Sequence, residues 1–505
     1  MLLNNIILLS ALYDKKLDLV YKLLENKDVQ KNLSYSNEKG ETAFLLCLHF
    51  EYHDLALKIL DYDNIGLEKI DKLKNNSLVF ALKKQYEDVG LKILEKNFRN
   101  INYVDEHGDN ALTCALRYNQ DKIIEKLFTY PNLDVNIVDS QGDSPLIIAI
   151  DSLKESFAMA MLMKYKVNID YIQRKHKFNA LNLAICKQLS TVANYLVDIG
   201  ADTSFVSNTG DTALFCAISN NMIILANKIS RTTNPNCAVI NNFQDIALGH
   251  AINTCDEKLC LEIYNKDISS VETINQDNDS TLILALTNNM YEIASLLIKN
   301  SSDDFLKHIN NNQDNALFLC ITNGFFDLAK ILIEKKCYDI NHLNGENDCL
   351  LFFLINNGAE DLVLKVFNDN INEINVNIYN NEGNTLLVLS IINGMTKLSL
   401  QIISKMNIDY LNKINIFGDN ALLLCVNLQY WEIIRTLITI KGIDLNIINK
   451  NNDNALLLMI NLKQWDLVEL LLQNTNVDKF HRNRLDAYEI LKDWRITHLL
   501  HYFEN

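Results

Sequence analysis

Four residues of one stretch carry groups that ordinarily do chemistry: Cys237, His250, Cys255 and Cys260. Thiolates and an imidazole at such density would hold zinc or supply a nucleophile. Zinc sites, however, use tight pairs such as Cys-x2-Cys, and these spacings provide none. Cys260 reads as a core position of a helix and Cys255 as a corner between helices, so packing is the favoured role. Cys47, Cys320 and Cys425 recur at one small-residue position, where sulfur packs as a small hydrophobe. No Gly-rich phosphate loop follows a strand, no nucleophile motif surrounds a Ser or Cys, and no carboxylate pair stands out. No catalytic residue, metal or cofactor is expected, and the chain reads as a non-enzyme.

What positions these residues is a repeat. The stretch NIFGDNALLLCVNLQYWEIIRTLI, residues 415–438, has Gly418 at a turn and polar Asp419-Asn420 where a helix would be capped. It predicts a first helix over 421–428 and a second from Trp431 to about Leu437. Taking Leu422 as an index, the pattern returns about every 34 residues: at Leu8, Phe44, Leu78, Leu112, Leu146, Leu181, Leu214, Leu248, Leu282, Leu317, Leu351, Leu387, Leu456 and, more weakly, Tyr488. Self-similarity at this period means a solenoid of helix pairs, about fifteen of them. Three residues past the index stands a small side chain in most copies (Ala81, Ala115, Ala149, Ala184), and the next position is aliphatic. Small residues let stacked helices approach to about 8–10 Å. Seven residues past the index, Gly324, Gly358, Gly394, Asn119, Asn221 and Asn289 mark a left-handed corner.

With these residues in view the chain resembles the ankyrin repeat family over nearly its whole length. Ser144-Pro145-Leu146, Asp211-Thr212-Ala213-Leu214 and Gly200-Ala201-Asp202 match its unit best. Departures are clear too: only Pro145 fills the family's proline, no copy has its histidine, and Asn110, Asn315, Asn420 and Asn454 replace its threonine. Apolar contacts are therefore expected to carry more of the stability. The resemblance implies an all-α ankyrin-repeat solenoid with short hairpin-like turns, and a non-catalytic scaffold or adaptor that binds a protein through its concave face. A second class is a structural repeat protein that self-associates or joins a larger particle.

Composition agrees with an ordered chain of this kind: 505 residues, 48% hydrophobic, 22% charged, three prolines. The net charge of −16 and the lack of a basic stretch argue against nucleic acid or an anionic membrane, and make a basic or neutral protein surface the expected partner. Abundant Asn, Ile and Lys fit an A/T-biased coding genome, as in a large DNA virus, a protist or an intracellular bacterium. The N-terminal stretch has no leader pattern, and no apolar run reaches the roughly 18 residues of a membrane span. Eleven cysteines without paired spacing suggest reduced thiols in a cytoplasmic, monomeric protein.

In chain order, residues 1–36 read as an N-terminal capping repeat with Leu3 and Ile6 to Leu9 facing inward. The array spans 37–478, with more variable loops at 231–238 and 267–278, and 479–505 closes it. There Arg484 is expected at the turn, Trp494 to Phe503 in the last helix, and Lys479, His481 and Arg482 in a locally basic end. A column of acids follows the turn, among them Asp314, Asp348, Asp419 and Asp453. It serves either as helix-start carboxylates, each contributing about 0.3–1 kcal/mol, or as an acidic stripe facing a partner. By the resemblance, turn tips and helix ends would expose Phe178, Phe243, Ile416, Phe417, Leu428 and Leu462 as apolar anchors, with the favoured hot spot in repeats thirteen and fourteen.

Overall fold

A computed structural model describes residues 2–96, 98–268, 271–344, 348–473 and 482–504. It holds thirty-three helices among the described residues. Three are isolated four-residue turns, Lys27–Gln30, Asp303–Leu306 and Ile408–Leu411, and the remaining thirty form fifteen consecutive pairs. The pairs fall on the fifteen index positions. The ruler's helices are Ala421–Leu428 and Trp431–Ile438, as the pattern predicts. No helix among the described residues is long and apolar enough to cross a membrane.

The chain separates into two compact units, Met1–Ser270 and Val271–Asn505, with the boundary inside the variable loop 267–278. Eight pairs lie in the first and seven in the second. Inside each unit every first helix packs on the first helices of the neighbouring repeats and on its own partner. Most first helices have seven residues, far below the roughly 12–15 at which an isolated helix becomes marginally stable in water. Burial against neighbours must supply the difference. Accordingly the small column (Ala81, Ala115, Cys320, Cys425) and the aliphatic column beside it (Leu82, Leu116, Ile321, Val426) are fully buried.

Each first helix starts at a polar cap two residues before the index. The side chains of Thr42, Asn76, Asn110, Ser144, Asn179, Thr212, Ser280, Asn315, Thr385, Asn420 and Asn454 each accept the N–H three residues on. The asparagines that replace the family threonine therefore do the same work as the threonines. Capping belongs to this residue and not to the acid before it. Among the first helices whose cap residue is described, only those after Ile246 and Cys349 lack a side-chain cap.

Each pair turns through one left-handed residue, whatever its identity. Glycine or asparagine occupies that corner in six repeats, but Lys15, Glu51, Gln85, Leu153, Gln188, Cys255, Gln429, Lys463 and Arg495 adopt it as well, with φ between 56° and 63°. For a residue with a Cβ this conformation costs about 1–2 kcal/mol, so the fold imposes the corner against local preference. The turn before the first helix is likewise left-handed, at Gly40, Lys74, Gly108, Gly142, Lys177, Gly210, Gln244, Asn278, Gln313, Gly383, Gly418 and Asn452.

The chain ends depart from expectation. Leu8 and Leu9 are buried, but Leu3, Ile6 and Ile7 are exposed, on the face of helix Leu2–Tyr13 that no other described helix covers. Arg484 lies within helix Arg482–Asp493, not at a turn, and the last helix is Thr497–Glu504. The corner sits at Arg495, seven residues past Tyr488, so the index holds while the boundaries shift. Lys479 and His481 lie outside the described residues.

Turn glycines differ in what surrounds them, which gives a test. A Cβ on Gly210 would stand 2.8 Å from the Asn241 Cα, whereas one on Gly324 would meet nothing within 4 Å. Gly324→Ala should cost only the backbone term, about 1 kcal/mol. Gly210→Ala should cost more than twice that, read as faster hydrogen exchange in helices Ala213–Ser219 and Ala247–Asn253.

Candidate interaction surface

The hairpin between repeats is where variable side chains emerge, and a residue seven before the index builds it. In repeat thirteen the Asn415 Oδ1 accepts the N–H groups of Phe417 (2.9 Å) and Asp419 (3.1 Å). The Asn415 N–H donates to the Asp419 carbonyl at 3.0 Å. Asn241, Asn310 and Asn449 repeat this clamp, as do Asp105 and Asp139. Across several turns the flanking residues form a single antiparallel bridge, such as Ile309 with Asn315 and Tyr379 with Thr385.

The clamp residue also fixes the acid column. The Nδ2 of Asn241 donates to Asp211 of the previous repeat (3.0 Å), Asn310 to Asp279 (2.9 Å) and Asn449 to Asp419 (3.0 Å). Asp211, Asp279 and Asp419 are thus rungs between successive hairpins, and Asp314, Asp348, Asp419 and Asp453 are all half-buried. Where the clamp is itself an aspartate, the preceding first helix supplies a cation. Lys83 bridges Asp105 and Asp109, at 2.8 Å from the latter. Arg117 bridges Asp139 and Asp143, at 3.4 Å from the latter. In repeat three no such cation is paired with Asp71; the acid position holds neutral Asn75, which donates to Asp71 at 2.9 Å. Burial pushes the Asp109 carboxyl upward, but Lys83 and the Ser140 N–H outweigh it and hold the group below the usual carboxylate range.

The anchors emerge around this frame. Phe417 is 60% exposed, Phe243 54%, Ile416 51% and Leu428 44%. Leu462 and Phe178 are only half-exposed, against expectation. Phe178 is drawn in because the repeat-six turn has one extra residue: its closing bond runs from Gln173 N–H to the Phe178 carbonyl, five residues on, where the other hairpins span four. Phe178 therefore fills the slot of the acid column. Of the ten residues singled out, Phe178 and Phe243 belong to the first compact unit and the rest to the second.

Two features of this surface escaped the sequence reading. One is an exposed aliphatic or aromatic residue leaning out of hairpin after hairpin just before the clamp: Ile70, Val104, Val206, Ile240, Ile274, Tyr379, Ile414 and Ile448. Its signal was a period-34 column of β-branched residues outside any helix. The other is the run Arg174-Lys175-His176-Lys177, the longest row of cation-forming residues in the sequence.

The chemistry-bearing group does not assemble. Cys260 and Cys237 are buried and Cys255 is exposed at a corner. His250 packs edge-on against Phe215, with ring centroids 4.4 Å apart, and lies 3.4 Å from Asp245. Among the described residues no group of three or more His, Cys, Asp or Glu is placed to hold a metal ion. Burial pushes the Cys320 and Cys260 thiols up to about 12 and raises Cys47 and Cys425 further.

Comparison with known proteins places these repeats. A family model described as ankyrin repeats (3 copies) matches residues 112–207 and 248–344. No curated protein matches the chain. Among solved structures, an ankyrin repeat protein, EF0377, is 19% identical, with 39% of this chain and 100% of that one covered and a TM-score of 0.33. A chain from the complex of the Bd0816 predatory endopeptidase of Bdellovibrio bacteriovorus with immunity protein Bd3460 is 26% identical, with 38% and 97% covered and a TM-score of 0.30.

Two measurements test this arrangement. Lys83→Met strands two half-buried or buried carboxylates and should cost about 2–3 kcal/mol at pH 7. Because the Asp109 pKa is lowered on folding, its contribution is present above the usual carboxylate pKa and lost as pH falls through the folded value. The gap between wild type and variant in urea midpoint should therefore close as pH falls below the usual carboxylate range. Separately, a thiol reagent at pH 8 should label Cys186 and Cys255 in the native chain, and all eleven cysteines only in denaturant.

Proposed function

Since the chain is built of ankyrin repeats, we propose that it is a non-catalytic adaptor that holds a protein partner on its hairpin tips. Ankyrin repeats are in general binding frames, stacked so that each repeat offers variable side chains beside its neighbours'. The observation that carries the reading is repeat thirteen, where Ile414, Ile416, Phe417 and Leu428 are all exposed on one hairpin and helix end. Large apolar side chains held out by a clamped turn have little entropy left to lose on binding, and such residues dominate interface energies.

In the second unit the same hairpins carry Asp314, Asp348, Asp419 and Asp453. Their half-buried carboxylates lend the tips a negative potential, that of Asp419 even while it serves as a rung, so a partner with basic residues around an apolar centre fits best there. Leu462 repeats Leu428 one step on and extends the patch. All eleven cysteines are free thiols, which supports work in a reducing compartment such as the cytoplasm.

The test is affinity capture from the native host with Ile416→Ala/Phe417→Ala and with the four acids changed to Asn. Loss of the partner in the first, by at least tenfold, and weaker salt dependence in the second are expected. Equal recovery by wild type and both variants would remove this surface from consideration. Mass measured across a concentration series should stay monomeric; growth into oligomers would favour self-association instead.

A further inference from the structure

We infer that repeat six carries a second docking site, for an acidic peptide segment of a partner protein. This rests on the adaptor reading and adds the chemistry of what is bound. The inserted turn residue leaves Arg174, Lys175, His176 and Lys177 on an exposed tip. None of the four forms an ion pair among the described residues, in contrast to Lys83, Arg117, Lys154 and Lys187 around them. In a chain of net charge −16 an unneutralised cationic tip is a local inversion of sign.

The tip overhangs a cleft of about 330 Å³ lined by Lys175, His176, Phe178, Leu183 and Lys187. That volume lies at the small end of ligand pockets, roughly 300–1,000 Å³, and suits one apolar side chain with its flanking backbone. The cleft's two carboxylates are already spent, Asp143 on Arg117 (3.4 Å) and Asp151 on Lys187 (3.0 Å). They do not cancel Lys175 or His176.

An independent observation points to a peptide. Gln173 lines the same cleft and is 6% exposed. Its Nε2 donates to the Asp143 Oδ1 at 3.1 Å, which fixes the amide's orientation because a carboxylate only accepts. Its Oε1 is buried with no hydrogen-bond partner. Leaving such an acceptor empty costs about 1–3 kcal/mol, and a small turn of the amide toward the cleft would let a bound backbone N–H satisfy it. Cations at the rim, an apolar floor of Phe178 and Leu183 and one orphan acceptor together match a short run of Asp or Glu around a single aliphatic residue. A long polyanion such as nucleic acid would run from this four-residue tip onto a chain of net charge −16, which disfavours it.

The full chain should bind a fluorescent peptide of about twelve residues with Asp and Glu around one Leu, with affinity that falls as salt rises. Lys175→Glu/His176→Glu should weaken binding at least tenfold and Gln173→Leu several-fold, while Lys450→Glu at another tip should change nothing. Circular dichroism matching wild type would show that the variants are folded. Equal binding of a Gln/Asn version of the peptide, indifference to the charge reversals, or displacement by single-stranded DNA would overturn the inference. In capture from the host, a partner retained fully by the double reversal would sink this site alone. No partner with wild type would sink the adaptor reading itself.

Discussion

Outside repeat six, the described hairpins are each held shut by one side-chain oxygen, and the periodicity of the molecule depends on that bond. An asparagine or aspartate seven residues before the index accepts two N–H groups of its own turn, as Asn415 does from Phe417 and Asp419. Each such bond is worth only about 1 kcal/mol net. Yet it sets where the next cap falls, and the cap sets where a seven-residue helix begins. A helix that short is stable only if its apolar face meets the neighbouring repeat in register. The clamp is therefore the local event that makes long-range packing possible, and the exposed side chains between its two ends inherit its rigidity.

The join between consecutive hairpins has been solved with two chemistries. Where the clamp is Asn241, Asn310 or Asn449, its amide donates to the acid of the previous repeat, as between Asn310 and Asp279. Where it is aspartate, that donor is gone and two carboxylates stand in one turn. Lys83 or Arg117 then enters from the preceding helix, or the second carboxylate is replaced by an amide, as at Asn75. Much of the acidity in these turns is consequently internal wiring. A net charge of −16 measures the whole chain and says little about the sign at any one tip, which is how a cationic tip can coexist with it.

The frame was legible because its determinants are local and repeated. Index, small column, corner and cap recur at fixed offsets, and fifteen weak matches in register outweigh the poor fit of each. The corner proved even more general than its glycines suggested, since Leu153 and Cys255 adopt it too; packing there overrides preference. What stayed hidden was pairing between repeats. Sequence spacing places the acids beside a helix start, where capping is the natural reading, but it does not reveal that the polar residue after the acid alone holds the cap. Nor does it show that an amide some thirty residues later reaches the carboxylate. The exposed column through Ile240 and Ile414 was missed for a related reason: β-branched residues ahead of a turn read as loop filler until the bridge across the hairpin gives them a direction. At the N-terminus, periodicity put Leu3 inside, but periodicity describes a helix and cannot supply the neighbour that would cover it.

Function is best sought where the repeat breaks its own rules, because each break gives up stability that the other copies keep. In repeat six the clamp is Gln173, one methylene longer, and its oxygen closes no turn. Phe178 replaces the acid rung, and an extra residue lengthens the tip. The hairpin instead leans on its backbone bonds and on Tyr171, whose hydroxyl reaches the Gly142 carbonyl at 2.9 Å. Repeat thirteen keeps its clamp but spends the tip on Ile416 and Phe417, where its neighbours carry polar residues such as Lys450 and Asn451. The first departure lowers the closure energy of a turn and the second exposes apolar surface to water, so neither improves the isolated chain. Both become favourable once a partner supplies what the solvent cannot: an N–H and carboxylates for the one, a dry surface for the other.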